Sequence, residues 1–61
     1  MLKIEIKTGN AAYSEDDILT LDGRYELQRN LMDICKKITN GYDDGVIMDI
    51  NGNKVGTWSV E

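Results

Sequence analysis

The sequence predicts an α+β fold in which one helix packs on a three-stranded sheet, in the order strand, helix, strand, strand. Three patterns predict it: alternating apolar and charged residues at the start, an apolar stripe at helical spacing in the middle, and two strand-like segments around an Asn-Gly pair near the end. A chain of 61 residues can build one thin core. We therefore expect a single domain over residues 1–61, with the last two strands forming a C-terminal hairpin.

The first strand is predicted by a period of two. Apolar and charged side chains alternate in the order Leu2, Lys3, Ile4, Glu5, Ile6 and Lys7. This alternation gives a strand one dry face and one wet face. Thr8, Gly9 and Asn10 end the strand, because Gly and Asn tolerate a positive φ and Asn can bond to nearby backbone.

Residues 11–21 support two interpretations. Ser14, followed three positions later by Asp17, is typical of a capping-box start to a short helical turn. The apolar run that ends at Leu21, followed by an Asp-Gly pair, fits equally well a brief strand that enters a turn. A connection of this length in a compact domain is more often functional or mobile than decorative.

The helix is predicted over residues 24–39 by apolar residues at spacings of four, three and four, namely Leu27, Leu31, Ile34 and Ile38. Cys35 lies beside this stripe, and we expect it to be a small buried packing residue rather than a nucleophile. We also expect Asp33 to pair with Arg29 and with Lys37, each one turn away.

The ends of this helix have their own signals. Asp22 or Gly23 is expected to cap the start, since both residue types favour the N-cap position. Asn40 and Gly41 supply a left-handed stop.

Two strand-like segments, residues 45–50 and 54–61, flank the Asn-Gly pair, which is a strong hairpin signal. Two registers remain open. A two-residue type I′ loop would place four apolar residues on one face: Val46, Met48, Ile50 and Val55. A type I turn with a glycine bulge would instead group Ile47 with Val55.

One helix covers one face of the sheet and leaves the other face open. If the open face carries Trp58 or Met48, we expect it to take part in self-association or partner binding.

Composition excludes several classes of function. The chain has no histidine, so histidine-based catalytic triads and histidine-liganded metals are excluded. Its single cysteine excludes an internal disulfide. The net charge of −4, from seven basic and eleven acidic residues, disfavours direct nucleic-acid binding and favours basic partners. We predict that the protein is not an enzyme and takes no cofactor.

No apolar run approaches the roughly 20 residues that a membrane-spanning helix needs. No apolar, signal-like stretch follows Met1. We therefore expect a cytoplasmic protein without a membrane partner.

One segment begins like a calcium-binding loop, because residues 49–53 place oxygen-bearing side chains at alternate positions. The sixth position is Lys54 where the loop needs a glycine, and the twelfth is Val60 where it needs a glutamate. We predict a structural hairpin turn and no metal site.

Two acidic groups and two aromatic residues are the candidates for binding a partner: Tyr13, Glu15, Asp16, Asp17, Asp22, Asp43, Asp44 and Trp58. Adjacent acids on the loops of so small a chain have no pocket to enclose them, so solvated charge is the simplest interpretation. The sharper interpretation is that they meet a basic protein surface or imitate a phosphate backbone. The aromatic residues are more often core or rim, although small binding modules use such anchors.

Two segments have a distinctive sequence: Asn-Ala-Ala-Tyr at residues 10–13 and Asp-Ile-Asn-Gly-Asn-Lys-Val-Gly-Thr-Trp at residues 49–58. With them the chain resembles a family of short phage and prophage proteins. Together with the helix from Glu26 to Gly41, the resemblance covers nearly the whole chain, and it departs in the extra residues between Ser14 and Arg24. The family brings no activity, so no functional residue is carried over.

Small acidic early phage proteins often resemble inhibitors of host machinery, including anti-defence proteins. The resemblance therefore implies a small acidic phage-type protein in the host cell cytoplasm that binds a host protein and inhibits a defence or nucleic-acid-processing system. The alternative is a self-associating structural or assembly module of phage origin. A homodimer is an expected partner arrangement on grounds of size.

Overall fold

The structure is a computed structural model that describes residues 1–61. Its elements are β1 (Leu2–Ile6), β2 (Ser14–Glu15), β3 (Ile18–Leu19), α1 (Leu21–Thr39), β4 (Asp44–Met48) and β5 (Lys54–Val60). One sheet has the order β1-β5-β4, and β2 pairs with β3 in a separate two-stranded sheet. The predicted α+β fold is confirmed, with a small additional hairpin before the helix.

The middle strand of the main sheet is β5, which pairs antiparallel with both neighbours. Trp58 lies opposite Ile4 of β1 on one side and opposite Gly45 of β4 on the other. Strands β1 and β4 are therefore parallel to each other and form the two edges. The face that carries Trp58 packs on α1, and the buried apolar core consists of Tyr13, Ile34, Ile47, Val55 and Trp58.

The C-terminal hairpin adopts the second of the two open registers. The Gly52 N–H donates to the Asp49 carbonyl at 3.1 Å, and the Asp49 N–H donates to the Asn53 carbonyl at 2.9 Å. Gly52 has a φ of +82°, so this is a type I turn with a glycine bulge. Ile47 and Val55 are both buried, as this register predicts.

The predicted stripe does not coincide with the buried face of the helix. Leu31 and Ile38 are 43% and 37% exposed, Leu27 is half-buried, and Cys35 is exposed. The buried residues of α1 are instead Gly23, Glu26, Asn30 and Ile34. The prediction of a buried Cys35 is therefore wrong, and so is the stripe at Leu31 and Ile38, whereas Ile34 is buried in the core and Leu27 packs against it.

Polar contacts explain this orientation of the helix. The Asn30 Nδ2 donates to the Met48 carbonyl at 3.0 Å, at the edge of the sheet. Gly23 lies so close to the backbone of Tyr13 that a Cβ there would be 1.8 Å from the Tyr13 carbonyl oxygen. These contacts turn the glycine and the amide, rather than the leucines, toward the rest of the protein.

The helix begins at Leu21, three residues before the predicted start. Thr20 is the N-cap, because its Oγ1 accepts from the Gly23 N–H at 2.9 Å. The predicted caps, Asp22 and Gly23, are therefore wrong. At the other end the predicted left-handed stop is confirmed, because Gly41 has a φ of +94°. The N–H groups of Gly41 and of the following residue donate to carbonyl groups of the last helical turn, at 3.1 and 3.0 Å. No helix in the structure combines the length and the apolar character needed to cross a membrane.

The segment before the helix forms neither predicted structure in full. Glu15 pairs with Ile18 across a two-residue turn at Asp16 and Asp17, whose φ values are +51° and +62°. Positive φ at both central residues is the mark of a type I′ hairpin. The prediction of a helical turn from Ser14 is therefore wrong. The prediction of a brief strand is confirmed only for Ile18–Leu19. We call residues 14–19 the acidic hairpin.

Candidate functional site

Tyr13 is a core residue and not a surface anchor. Its side chain is 0% exposed, and its hydroxyl donates to Asn30 Oδ1 at 2.8 Å. Burial raises the pKa of the Tyr13 phenol, and the negative charges of Glu26 and Asp49 raise it further. Tyr13 therefore stays a neutral hydrogen-bond donor that joins the loop before the acidic hairpin to α1. A buried side chain cannot contact a partner, so Tyr13 is no longer a candidate for partner binding.

Replacing Tyr13 by Phe is expected to destabilise the fold by about 1–2 kcal/mol, because it removes the hydroxyl donor and leaves the buried side-chain oxygen Oδ1 of Asn30 unpaired. Urea denaturation followed by circular dichroism measures the loss. Tyr25→Phe is the matched control, since Tyr25 is exposed and should change stability by less than about 0.5 kcal/mol. Equal effects of the two substitutions would contradict the assignment.

Asp49 joins the two segments on which the phage-family resemblance rests. Its carboxylate accepts from the backbone N–H groups of Asn51 and Asn53, both at 2.9 Å, and from the side-chain amides of Asn53 and Asn10 at 3.2 and 3.1 Å. The backbone hydrogen bond from Asn53 is the main cause that lowers the pKa of Asp49. These donors occupy both carboxylate oxygens. No group of three or more His, Cys, Asp or Glu residues is placed to hold a metal ion.

Trp58 is also a core residue. It is 2% exposed, and its indole N–H has no acceptor within the protein. The indole lies over Gly45, where a Cβ would be 2.6 Å from the indole nitrogen. Trp58 therefore lies on the face of the sheet that packs on the helix, and the open face does not carry it.

The open face of the sheet is mostly polar. By alternation along β4, it carries Val46 and Met48, which are 47% and 46% exposed. On β1 the same face carries Lys3 and Glu5, and Lys3 pairs with Glu61 at 3.2 Å. Met48 therefore lies on the open face, as expected of a face that takes part in association. The apolar patch around it is small.

The ion pairs on the helix differ from those predicted. Arg29 bonds to Glu26 rather than to Asp33, and this hydrogen bond raises the pKa of Arg29. Glu26 is nearly buried on the sheet side, which puts it nearer to the Arg29 guanidinium than the exposed Asp33. The predicted pair between Asp33 and Lys37 is confirmed at 3.4 Å.

All the acidic candidates lie on the surface and outside the ion pairs of the structure: Glu15, Asp16, Asp17, Asp22, Asp43 and Asp44. They form two separate groups. The helix between them has 19 residues and is about 28 Å long, and the longest dimension of the protein is 36 Å. The acids around the start of the helix and those after its end therefore lie at opposite ends and cannot form one compact site.

The group at the start of the helix is the larger one. Glu15 and Asp22 line the same shallow hollow between the acidic hairpin and the first turn of α1. Asp16 and Asp17 form the turn at the tip. We call these four residues the acidic end.

A second surface was not predicted from the sequence. A shallow groove along α1 and β3 is lined by Leu19, Arg24, Leu27, Gln28, Leu31, Met32 and Cys35. We call it the outer helix face. Its signal in the sequence is the apolar spacing of the helix, which also predicts a buried core.

Comparison with known proteins does not add a family to this picture. No family model matches the chain. No curated protein and no solved structure matches it either. The function proposed below therefore rests on the geometry of these two surfaces and on the resemblance of the sequence.

Proposed function

We propose that this chain is a small, non-enzymatic, phage-type protein that binds a host protein in the cytoplasm and inhibits a defence or nucleic-acid-processing system. The observation that carries the proposal is the acidic end, where four carboxylates are exposed and have no cationic partner. Such a surface is complementary to the basic grooves with which proteins hold nucleic acid.

The backbone of the acidic hairpin supports a role for the charges themselves. Asp16 and Asp17 both occupy the left-handed region, which Gly and Asn adopt at lower cost. Aspartate at both positions keeps two negative charges at the most projecting point of the hairpin. Strain of this kind is found more often where a residue serves function than where it serves stability.

The other carboxylates support a role in binding rather than in chemistry. Asp49 is held by four hydrogen bonds, and Glu26 is bonded to Arg29. Neither is left free to transfer a proton or attack a substrate. The free carboxylates are solvated, and a solvated carboxylate suits electrostatic attraction to a basic partner.

The test compares two variants of equal net charge. In E15Q/D16N/D17N the tip loses three charges while Asn preserves the turn, and in E5Q/D43N/D44N three charges are removed elsewhere. Wild-type protein immobilised in host lysate should capture a stoichiometric partner, with less captured as salt rises. The tip variant should bind about 10-fold or more weakly, and the control should bind as wild type does.

Equal binding by the wild type and the tip variant would overturn the assignment of the acidic end. Failure to capture any stoichiometric partner, together with normal phage growth when the gene is deleted, would overturn the inhibitor proposal itself.

The alternative function is a self-associating structural or assembly module, and the uncovered outer helix face favours it. Light scattering distinguishes the two. A large oligomer whose mass does not change with concentration supports the structural module, whereas a monomer or dimer supports the binding protein.

A further inference from the structure

The two edge strands of the main sheet are protected differently. At the β4 edge, the Met48 carbonyl accepts hydrogen bonds from Asn30 and Arg29, and a register shift between Ile47 and Met48 interrupts the strand. Covering side chains and irregular strands are means by which sheet edges avoid pairing with another chain. Strand β1 has five regular residues with no glycine, proline or register shift. It is therefore the edge that remains open to a further strand.

The outward backbone groups of β1 belong to Leu2, Ile4 and Ile6. Just past the strand, the Lys7 N–H donates to the Val55 carbonyl of β5 at 2.8 Å. Backbone groups point alternately to the two sides of a strand, so the odd-numbered residues of β1 face β5 and the even-numbered ones face outward. No other segment of the protein supplies hydrogen-bond partners for these outward groups.

We propose that β1 pairs antiparallel with β1 of a second copy of this chain, with Ile4 at the two-fold axis. Outward-facing residues must meet outward-facing residues, so in a strand of this length the axis can lie at Lys3, Ile4 or Glu5. With the axis at Ile4, Lys3 lies opposite the partner's Glu5, and Glu5 lies opposite the partner's Lys3. An axis at Lys3 would oppose two lysines, and an axis at Glu5 would oppose two glutamates. Charge therefore selects one register.

The other charges on the open face beside this edge are compatible with that register. Lys3 pairs with Glu61 of its own chain at 3.2 Å, whereas Glu5 is exposed and has no cationic partner. Lys7 lies just beyond the paired strand, opposite the uncharged side chain of the partner's Met1. The ammonium group of Met1 faces β5, where it donates to the Glu61 carbonyl. The pairing therefore gives Glu5 a cation and places no like charges directly opposite each other.

The helix side of the same pairing is apolar. Leu2, Ile4 and Ile6 alternate with the charged residues, and Ile4 and Ile6 pack against the core, whereas Leu2 is 50% exposed. In the proposed register Leu2 lies opposite the partner's Ile6, and the two Ile4 side chains meet at the axis. Apolar cross-strand pairs of this kind stabilise a sheet. The pairing covers Leu2 and joins the two sheets into one continuous sheet, and it does not depend on the acidic end.

Sedimentation equilibrium on charge-reversal variants tests the register. The wild type should sediment at twice the mass of 6.9 kDa. K3E and E5K each oppose like charges, so each should raise the dimer dissociation constant about 10-fold or more while its circular dichroism is unchanged. K3E/E5K restores opposite charges and should dimerise as the wild type does, and a mixture of K3E with E5K should form a heterodimer. K54E is the matched control, since it makes the same charge change at an exposed residue away from this edge.

A wild type that remains monomeric up to about 1 mM would overturn the proposal. A dimer that neither single reversal weakens, or that the double reversal does not restore, would overturn it as well. The acidic-end variant E15Q/D16N/D17N should still dimerise. A monomeric wild type that captures a host partner therefore contradicts the strand pairing alone, and a dimer that captures none contradicts the inhibitor proposal alone.

Amide hydrogen exchange followed by NMR identifies the strand that pairs. The Ile4 N–H should exchange about 10-fold or more slowly as the protein is concentrated, because dimerisation gives it an acceptor. Val46 on the β4 edge is the internal control. The Val60 N–H donates to the Asp43 carbonyl at 2.7 Å, so by alternation the Val46 N–H faces outward and should exchange quickly at every concentration. Protection of Val46 rather than Ile4 would place the interface on β4 and overturn the proposal.

Discussion

Replacing Asp49 by Ala is expected to lower the melting temperature of the protein by about 10–20 °C, because several hydrogen bonds are lost at once in a small domain. The carboxylate accepts from two backbone N–H groups of the hairpin turn and from the amides of Asn53 and Asn10. Without it the turn loses its internal acceptor, and the loop that carries Tyr13 loses its connection to the hairpin. Thermal unfolding followed by circular dichroism measures the change.

Asp43→Ala is the control, since it removes the same charge from an exposed carboxylate without a hydrogen-bond or ion-pair partner and should leave the melting temperature nearly unchanged. Asp49→Asn should fall between the two, because one amide oxygen can still accept from the turn. A loss in Asp49→Ala no larger than in Asp43→Ala would show that the four hydrogen bonds do not hold the hairpin.

The same carboxylate makes stability depend on pH in a defined direction. Its pKa is lowered in the folded state, so the folded protein binds this proton less tightly than the unfolded chain does. The stabilisation is fully present above the unfolded pKa of about 3.9 and is lost as pH falls from there through the folded pKa. Urea midpoints measured through this range should fall less steeply for Asp49→Asn than for the wild type.

The strands and the final hairpin could be predicted because their signals are local. The alternation of Ile4 and Ile6 with charged residues fixes the face of β1, and an Asn-Gly pair fixes the position of the turn. The register could be narrowed to two choices only, because the difference between them depends on whether Ile47 or Met48 meets the helix. That is a tertiary contact, and no local pattern encodes it.

The orientation of the helix could not be predicted for a related reason. Asn30 is a poor choice for a buried position until its partners are known, and these are the Tyr13 hydroxyl and the Met48 carbonyl, 17 and 18 residues away. A pattern of apolar spacing ranks the leucines above the asparagine and so selects the wrong face. The same contacts explain why Tyr13, which the sequence makes a candidate for partner binding, lies in the core.

The candidate site was predicted in part. Exposed acids follow from composition, since carboxylates are seldom buried without partners. The acidic hairpin that presents Asp16 and Asp17 was missed because a type I′ turn is normally signalled by Gly or Asn. The sequence therefore predicts which acids are exposed, and the structure adds how they are arranged.

Replacing Gly23 by Ala is expected to destabilise the protein by about 3 kcal/mol or more, although Gly to Ala inside a helix ordinarily stabilises by about 1 kcal/mol. The reason is a steric clash, since the new Cβ would lie 1.8 Å from the Tyr13 carbonyl oxygen and 2.4 and 2.6 Å from its carbonyl carbon and Cα. Backbone cannot move aside as a flexible side chain can. A domain of this size has roughly 3–9 kcal/mol of stability in total, so much of the variant should be unfolded.

The sign of the effect makes this substitution a sharp test of how the helix docks. Gly9→Ala is the control, because no atom lies within 4 Å of the Cβ position there, and its stability should change by less than about 1 kcal/mol. Urea denaturation followed by circular dichroism compares the two. If Gly23→Ala proves more stable than the wild type, helix propensity outweighs packing at this position. Tyr13 then cannot lie against the first turn of α1, and the position of the acidic hairpin beside that turn is also lost.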